Sequence, residues 1–180
     1  GEPTLHSGLG RVADAIKSAS SLPLCLLTNG TLFYQPDVRH DSMKADIVIP
    51  SLDAPDEETF RAVNRPPADL TFDMYLDGLR AFADQYTGEL WLEVFIVPGM
   101  NDTVPAVRRL ARIAAELRPA RIQLNTAVRT TAECDVTTAS LISVRLFPGC
   151  GRPGRILTSR PISSWVFPAK PRRNLSRAPG

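Results

Sequence analysis

Metal-binding and membrane-spanning patterns are both missing from this 180-residue sequence. Its three cysteines, Cys25, Cys134 and Cys150, are too far apart for any metal-ligand motif. Their odd number argues against the disulfide framework of a small secreted protein. No window approaches the roughly 18 apolar residues of a membrane helix, and the sequence has no signal-peptide pattern. The expected location is therefore the cytoplasm.

Composition and charge divide the chain into two parts. The sequence is 43% apolar and 22% charged, which is typical of a globular protein and excludes wholesale disorder. Residues 1–133 carry 13 basic and 18 acidic side chains, a net charge of −5. Residues 134–180 carry 8 basic and 1 acidic, a net charge of +7, together with 6 of the 16 prolines. We predict a folded domain over 1–133 and an irregular, poorly ordered basic tail rich in Pro, Arg and Ser over 134–180.

Two interpretations of the tail stay open. A basic arm would favour RNA, because phosphates release counterions when Lys and Arg neutralise them. The tail has only three aromatic residues, however, and its arginines are scattered. A frameshifted or otherwise non-native carboxyl end explains the same composition, and we favour it over nucleic-acid binding.

Helical and strand patterns alternate along the first part. The predicted helices cover 9–16, 37–44, a short stretch after Pro55, a longer one from Thr71 to about Gly88, and 103–117. The predicted strands cover 22–27, 45–50, 90–97 and 121–125. Neighbouring parallel strands need crossover helices, so this order predicts an α/β fold with a parallel sheet or partial barrel.

Polar residues follow every predicted strand. They form the segments Thr28-Asn29-Gly30-Thr31, Ser51-Leu52-Asp53, Pro98-Gly99-Met100-Asn101-Asp102 and Asn125-Thr126-Ala127-Val128-Arg129. We expect Gly1-Glu2-Pro3 to close an earlier strand in the same way. Reactive groups of parallel α/β folds collect at the carboxyl ends of the strands, so these segments suit a polar ligand lying across that rim.

Several of these groups also have a purely structural interpretation. Asn29-Gly30 is a common turn dipeptide, and Asp53 could cap the helix that follows it. Glu93 shares a strand face with Trp91 within an apolar run, so it is either a structural ion pair or a ligand-facing group. Cys25, inside an apolar strand, is most simply a small core residue.

Taken in order, five segments resemble the radical S-adenosylmethionine (radical SAM) superfamily. They are Gly1-Glu2-Pro3-Thr4-Leu5-His6, Leu27-Thr28-Asn29-Gly30-Thr31, Ser51-Leu52-Asp53-Ala54, Glu93 to Asp102, and Gln123 to Arg129. The group most similar in style comprises iron-sulfur oxidoreductases related to wyosine-base synthesis enzymes. The resemblance spans about residues 1–133.

The resemblance implies a partial (β/α)6 TIM-like barrel and a metal-binding oxidoreductase. In that family three cysteines of a CxxxCxxC loop hold a [4Fe-4S] cluster, which binds S-adenosylmethionine and cleaves it to a 5′-deoxyadenosyl radical. An electron donor such as flavodoxin or ferredoxin is implied as a partner. The substrate is unknown.

By position, the resemblance implies a set of cofactor-binding residues. They are Gly1, Glu2, Pro3, Thr28, Asn29, Ser51, Asp53, Val97, Gly99, Asn101 and Asn125. The first three match the motif that accepts hydrogen bonds from the methionine ammonium. Glu93 and Arg129 are implied on the substrate side.

One departure from the family is severe, because no CxxxCxxC occurs in the sequence. Without those thiolates there is no cluster and no electron delivery, so we assign no catalytic residue and no metal ligand. We therefore expect an amino-truncated piece of such an enzyme, inactive by itself. Two alternatives stay open: a cluster-free α/β barrel that binds a phosphate ester near Gly30 and Gly99, and an RNA-binding module.

Overall fold

The computed structural model describes residues 1–126; Arg129 and the predicted tail over 134–180 lie outside the described residues. A 3₁₀ turn at Pro3–Leu5 precedes the helices α1 (Leu9–Ala19), α2 (Pro36–Ser42), α3 (Glu57–Val63), α4 (Phe72–Gln85) and α5 (Val104–Leu117). The strands are β1 (Cys25–Thr28), β2 (Ile47–Pro50), β3 (Glu89–Ile96) and β4 (Arg121–Thr126). All nine predicted elements are present, and the 3₁₀ turn was not predicted.

The four strands form one parallel sheet in the order β1-β2-β3-β4, which confirms the predicted α/β fold. The two faces of the sheet differ. Along β3, the side chains of Leu92 and Val94 are buried, whereas those of Trp91 and Glu93 are only half-buried. The apolar core therefore lies on the buried face, against the helices, and the other face is more open within residues 1–126.

Stacked aromatic rings fill the space between the sheet and the helices. Phe33 lies parallel to Phe82 of α4, with 4.3 Å between ring centroids. Phe60 of α3 stacks on Tyr75 of α4 at 4.9 Å. All four are almost fully buried. Because large buried rings dominate the energetics of a core, α4 is the helix on which the packing is centred.

Polar caps determine where the longer helices begin. The Thr71 hydroxyl accepts from the Met74 N–H at the start of α4, as predicted, and Thr103 does the same for Ala106 in α5. Asp56 caps α3 through the Thr59 N–H. Among residues 1–126 no helix combines the length and apolarity needed to cross a bilayer.

The prediction that Cys25 is a core residue is wrong. Its side chain is exposed, because strand alternation places it on the opposite face from Leu26, which is buried. β1 is also the edge strand of the described sheet, so no further strand covers it there. Partial burial still raises the pKa of the Cys25 thiol, which disfavours the reactive thiolate.

Replacing Gly78 by Ala tests the close approach of α4 to the loop after β1. A Cβ at Gly78 would lie 2.5 Å from the Tyr34 nitrogen and 2.7 Å from the Phe33 carbonyl carbon. In an open helix the change would stabilise by about 0.5–1 kcal/mol. Here we expect destabilisation of about 1–3 kcal/mol in urea unfolding, because backbone must move. Asp77→Ala, next to it and exposed, should change the free energy of unfolding by less than about 0.5 kcal/mol.

Candidate functional site

Polar groups at the carboxyl ends of the four strands are linked by hydrogen bonds across the sheet. We call this edge the rim. The links run from Glu2 to Thr28 at the end of β1, from there to Ser51 after β2, then through Leu52 to Glu93 of β3, and finally to Asn125 of β4. The polar residues predicted after each strand therefore lie side by side, as the parallel topology requires.

Glu2 ties the amino-terminal segment to the end of β1. Its Oε1 accepts three hydrogen bonds, from the Thr28 hydroxyl at 2.6 Å and from the N–H and hydroxyl of Thr4. Its Oε2 accepts from the Asn29 N–H at 2.7 Å. Gly1 is exposed, and Pro3 begins the 3₁₀ turn that Glu2 caps. Oε2 has one hydrogen bond, so it keeps a lone pair for a further donor.

The turn after β1 uses the Asn29-Gly30 pair as turn chemistry predicts. The Asn29 side-chain oxygen accepts from the N–H and hydroxyl of Thr31, and the Gly30 N–H donates to the Thr28 hydroxyl. Gly30 has φ +70°, a conformation that favours glycine. A Cβ there would also lie 3.1 Å from Leu79 and 3.3 Å from Pro50. This glycine therefore fits a buried turn.

The segment Ser51–Asp53 is held from both sides. The Ser51 N–H donates to the Thr28 carbonyl at 3.1 Å, and the Leu52 N–H donates to the Glu93 carbonyl at 2.7 Å. The buried Tyr75 hydroxyl donates to the Ser51 carbonyl. Within the described residues the Ser51 hydroxyl makes no hydrogen bond, so it is the open polar group of this segment.

Asp53 is a buried carboxylate, 9% exposed. Its Oδ1 accepts from the Phe95 N–H at 2.8 Å, and Asn64 Nδ2 lies 3.4 Å from Oδ2. Burial raises the pKa of Asp53 to about 6; the negative charge of Glu93 adds to this rise, whereas the two hydrogen bonds oppose it. Asp53 therefore changes charge near neutral pH.

Glu93 is not in an ion pair within residues 1–126. Its carboxylate accepts a hydrogen bond from the Asn125 side-chain amide, and it lies half-buried on the open face of the sheet. The strand alternation that placed it with Trp91 is confirmed. At the opposite end of that face the Arg121 guanidinium lies 4.6 Å from the Trp91 ring centroid. The rim end is thus acidic and the far end basic and aromatic.

The loop after β3 has a buried interior and an exposed tip. Val97 is 4% exposed, and its N–H donates to the Asn101 side-chain oxygen at 2.7 Å. Asn101 is fully buried, so its side chain contacts protein on every side. Gly99 is at the exposed tip with φ +77°, and a Cβ there would meet nothing within 4 Å. Cofactor binding by these three residues stays a prediction.

Two residues join the site without having been predicted for it. Asn64 approaches Asp53 from the end of α3, and its side-chain oxygen is buried with no hydrogen-bond partner among the described residues. Tyr75 was predicted only as a core residue. A buried tyrosine needs a partner for its hydroxyl, which was the available signal for its contact with Ser51.

The described residues do not fit an iron-sulfur cluster. No group of three or more His, Cys, Asp or Glu side chains in residues 1–126 could hold a metal ion, and Cys25 is the one cysteine in that range. A [4Fe-4S] cluster needs thiolates. No reaction step through a cluster follows from these residues.

Two sequence relatives cover the described part of the chain, although no protein-family model matches it. A protein named GTPase Obg from Brachyspira hyodysenteriae is 39% identical over 132 residues, which are 73% of this chain and 19% of that protein. A UPF0026 protein from Methanocaldococcus jannaschii is 35% identical over 133 residues, 74% of this chain and 41% of that protein. The chain thus spans less than half the length of these relatives.

Solved structures give the same architecture. A domain of pyruvate-formate lyase-activating enzyme from Bacteroides vulgatus superposes with a TM-score of 0.58, at 16% identity, over 78% of this chain and 81% of that domain. At this identity the likeness shows the fold. The structural neighbours of the chain are radical SAM enzymes with TIM-barrel-like domains.

Replacing Asp53 by Asn tests the buried carboxylate. The folded-state pKa of about 6 lies above the usual value of 3.8, so the folded state binds the proton more tightly and loses stability as pH rises from about 4 to 6. The substituted side chain carries no charge, and its amide oxygen can still accept from the Phe95 N–H. We expect Asp53→Asn to be about 2–3 kcal/mol more stable than wild type at pH 7, with a smaller difference at pH 4.

The matched control is Asp56→Asn, since the pKa of Asp56 is lowered by the Thr59 N–H hydrogen bond. A lowered pKa gives stability at neutral pH that is lost on acidification, so this variant should be no more stable than wild type at pH 7. Urea unfolding at both pH values measures the two effects. Equal stability of Asp53→Asn and wild type at pH 7 would contradict the buried charge.

Proposed function

We propose that the rim binds S-adenosylmethionine and that the chain is a radical SAM protein segment of the kind that the sequence resembles. The observation that carries the proposal is the hydrogen-bonded line of polar groups across all four strand ends. Ligands of open α/β sheets bind outside the carboxyl ends of the strands. The fold shared with the domain of pyruvate-formate lyase-activating enzyme supports the same placement.

The chemistry of the rim suits the polar parts of this ligand. An ammonium donates hydrogen bonds, and carboxylate oxygens at Glu2 and Glu93 are acceptors on the same edge. Ribose hydroxyls both donate and accept, which matches the open Ser51 hydroxyl and the amide of Asn125. In this proposal Asn29, Gly99 and Val97 contribute through the turns that they shape.

Binding and cleavage are separate in this proposal. The described residues offer the polar groups for S-adenosylmethionine but not the thiolates for a cluster. We therefore propose that the chain alone binds the molecule without cleaving it. An electron donor such as flavodoxin or ferredoxin would act only where a cluster is supplied. Glu93 and Arg129 are proposed for the substrate side, and the substrate itself is unassigned.

A titration of the labelled chain with S-adenosylmethionine tests the proposal. We expect amide NMR shifts to cluster at Asn29, Ser51 and Asn125. Ser51→Ala should weaken binding by about 3- to 10-fold, as expected for one lost hydrogen bond. Ser18→Ala is the control, because Ser18 lies on α1 and its hydroxyl donates to the Asp14 carbonyl. That variant should bind like wild type.

The same titration carries its contrary outcomes. No saturable shift at millimolar ligand would refute the proposal, as would an equal effect of both serine variants. Inorganic phosphate and a sugar phosphate serve as comparison ligands. Shifts at Gly30 and Gly99 with these, in the absence of any response to S-adenosylmethionine, would favour a phosphate-ester site instead.

A further inference from the structure

The pairing of β2 with β3 is interrupted at Pro50. The two strands pair at Ile47 with Glu89 and at Val48 with Leu90, and the next bridge comes only at Ser51 with Glu93. Alternate residues of β2 donate to β3, as Leu52 does to the Glu93 carbonyl. By that alternation Pro50 is a position that should donate, and proline has no N–H.

Beyond Leu52 the register would require two more main-chain bonds. The Glu89 N–H donates to the Asp46 carbonyl, and six residues on the same offset assigns the Phe95 N–H to the Leu52 carbonyl. Likewise, two residues after the bond from Leu52 to Glu93, the Phe95 carbonyl should accept from the Ala54 N–H.

Side chains make these bonds instead. The Phe95 N–H donates to Asp53 Oδ1 at 2.8 Å, and the Phe95 carbonyl accepts from Asn101 Nδ2 at 2.7 Å. Asn101 Nδ2 also donates to the Asp53 carbonyl at 2.7 Å, and its Oδ1 accepts from the Val97 N–H. The fully buried amide thus uses both of its donors and its acceptor on main-chain groups.

We infer that Asn101 is a positioning residue, whose side chain replaces main-chain pairing between the ends of β2 and β3 and thereby fixes the Asp53 carboxylate against Phe95. It acts on the rim through Asp53 and the loop, without touching a ligand. An unpaired ladder at this point would leave buried N–H and carbonyl groups without partners, which costs about 1–3 kcal/mol for each group. Three such groups explain why an asparagine is buried here.

The first test follows Asp53 and Phe95 by NMR between pH 4 and 8. In wild type the Asp53 carboxyl carbon and the Phe95 amide should titrate with the same midpoint, near 6, because they share a hydrogen bond. Asn101→Leu keeps the volume and removes the three bonds. We expect the Asp53 midpoint to fall by about one pH unit as water reaches the carboxylate, and Phe95 to stop reporting it.

Thr103→Ala is the control, because it removes the cap of α5 from the same loop and leaves Asp53 untouched. Its midpoint should equal that of wild type. A folded Asn101→Leu variant with an unchanged midpoint and an unchanged Phe95 response would overturn the inference.

A second measurement uses wild type alone, in case Asn101→Leu does not fold. The side-chain amide protons of Asn101 should exchange with solvent at least about 100-fold more slowly than those of exposed Gln85. Equal exchange rates would overturn the inference. Neither measurement needs a ligand, so failure of S-adenosylmethionine binding leaves both readable. Where binding is observed, Asn101→Leu should weaken it about tenfold.

Discussion

Pro50 stands where β2 should donate a hydrogen bond to β3, and the shape of the rim follows from how the chain makes up for that missing donor. The main chain resumes pairing once, at Leu52, and then Asp53 and Asn101 take over with their side chains. A main-chain ladder would keep both strands regular. Side-chain partners let the strand ends diverge into loops while every polar group named here still has a partner.

This solution places a carboxylate in a buried position, which disfavours its charged form. Asp53 has the Phe95 N–H and Asn64 as donors but no cation, and Glu93 adds a second negative charge nearby. An apolar residue or an asparagine would serve packing better at neutral pH. Local features that oppose stability concentrate at functional sites, and Asp53 lies in the middle of the rim that parallel topology already marks.

Sequence patterns predicted the elements well because their signals are local. The apolar run of β3, the cap at Thr71 and the glycine turn after β1 each depend on a few neighbouring residues. Cys25 was assigned wrongly, because an apolar run does not reveal that β1 lies at the sheet edge or which face is covered. The role of Asn101 was equally hidden, since its partners Asp53 and Phe95 are 48 and 6 residues away.

The packing of this domain is independent of the chemistry at its rim. The stacked rings of α4 and the buried side chains of β3 form a core on one face of the sheet, and no metal-binding group within residues 1–126 contributes to it. The rim groups lie at the strand ends and are held by main-chain and amide bonds. A scaffold of this kind can therefore present a ligand site whether or not a redox centre is attached, because binding needs only the placed donors and acceptors, whereas electron transfer needs thiolates from elsewhere.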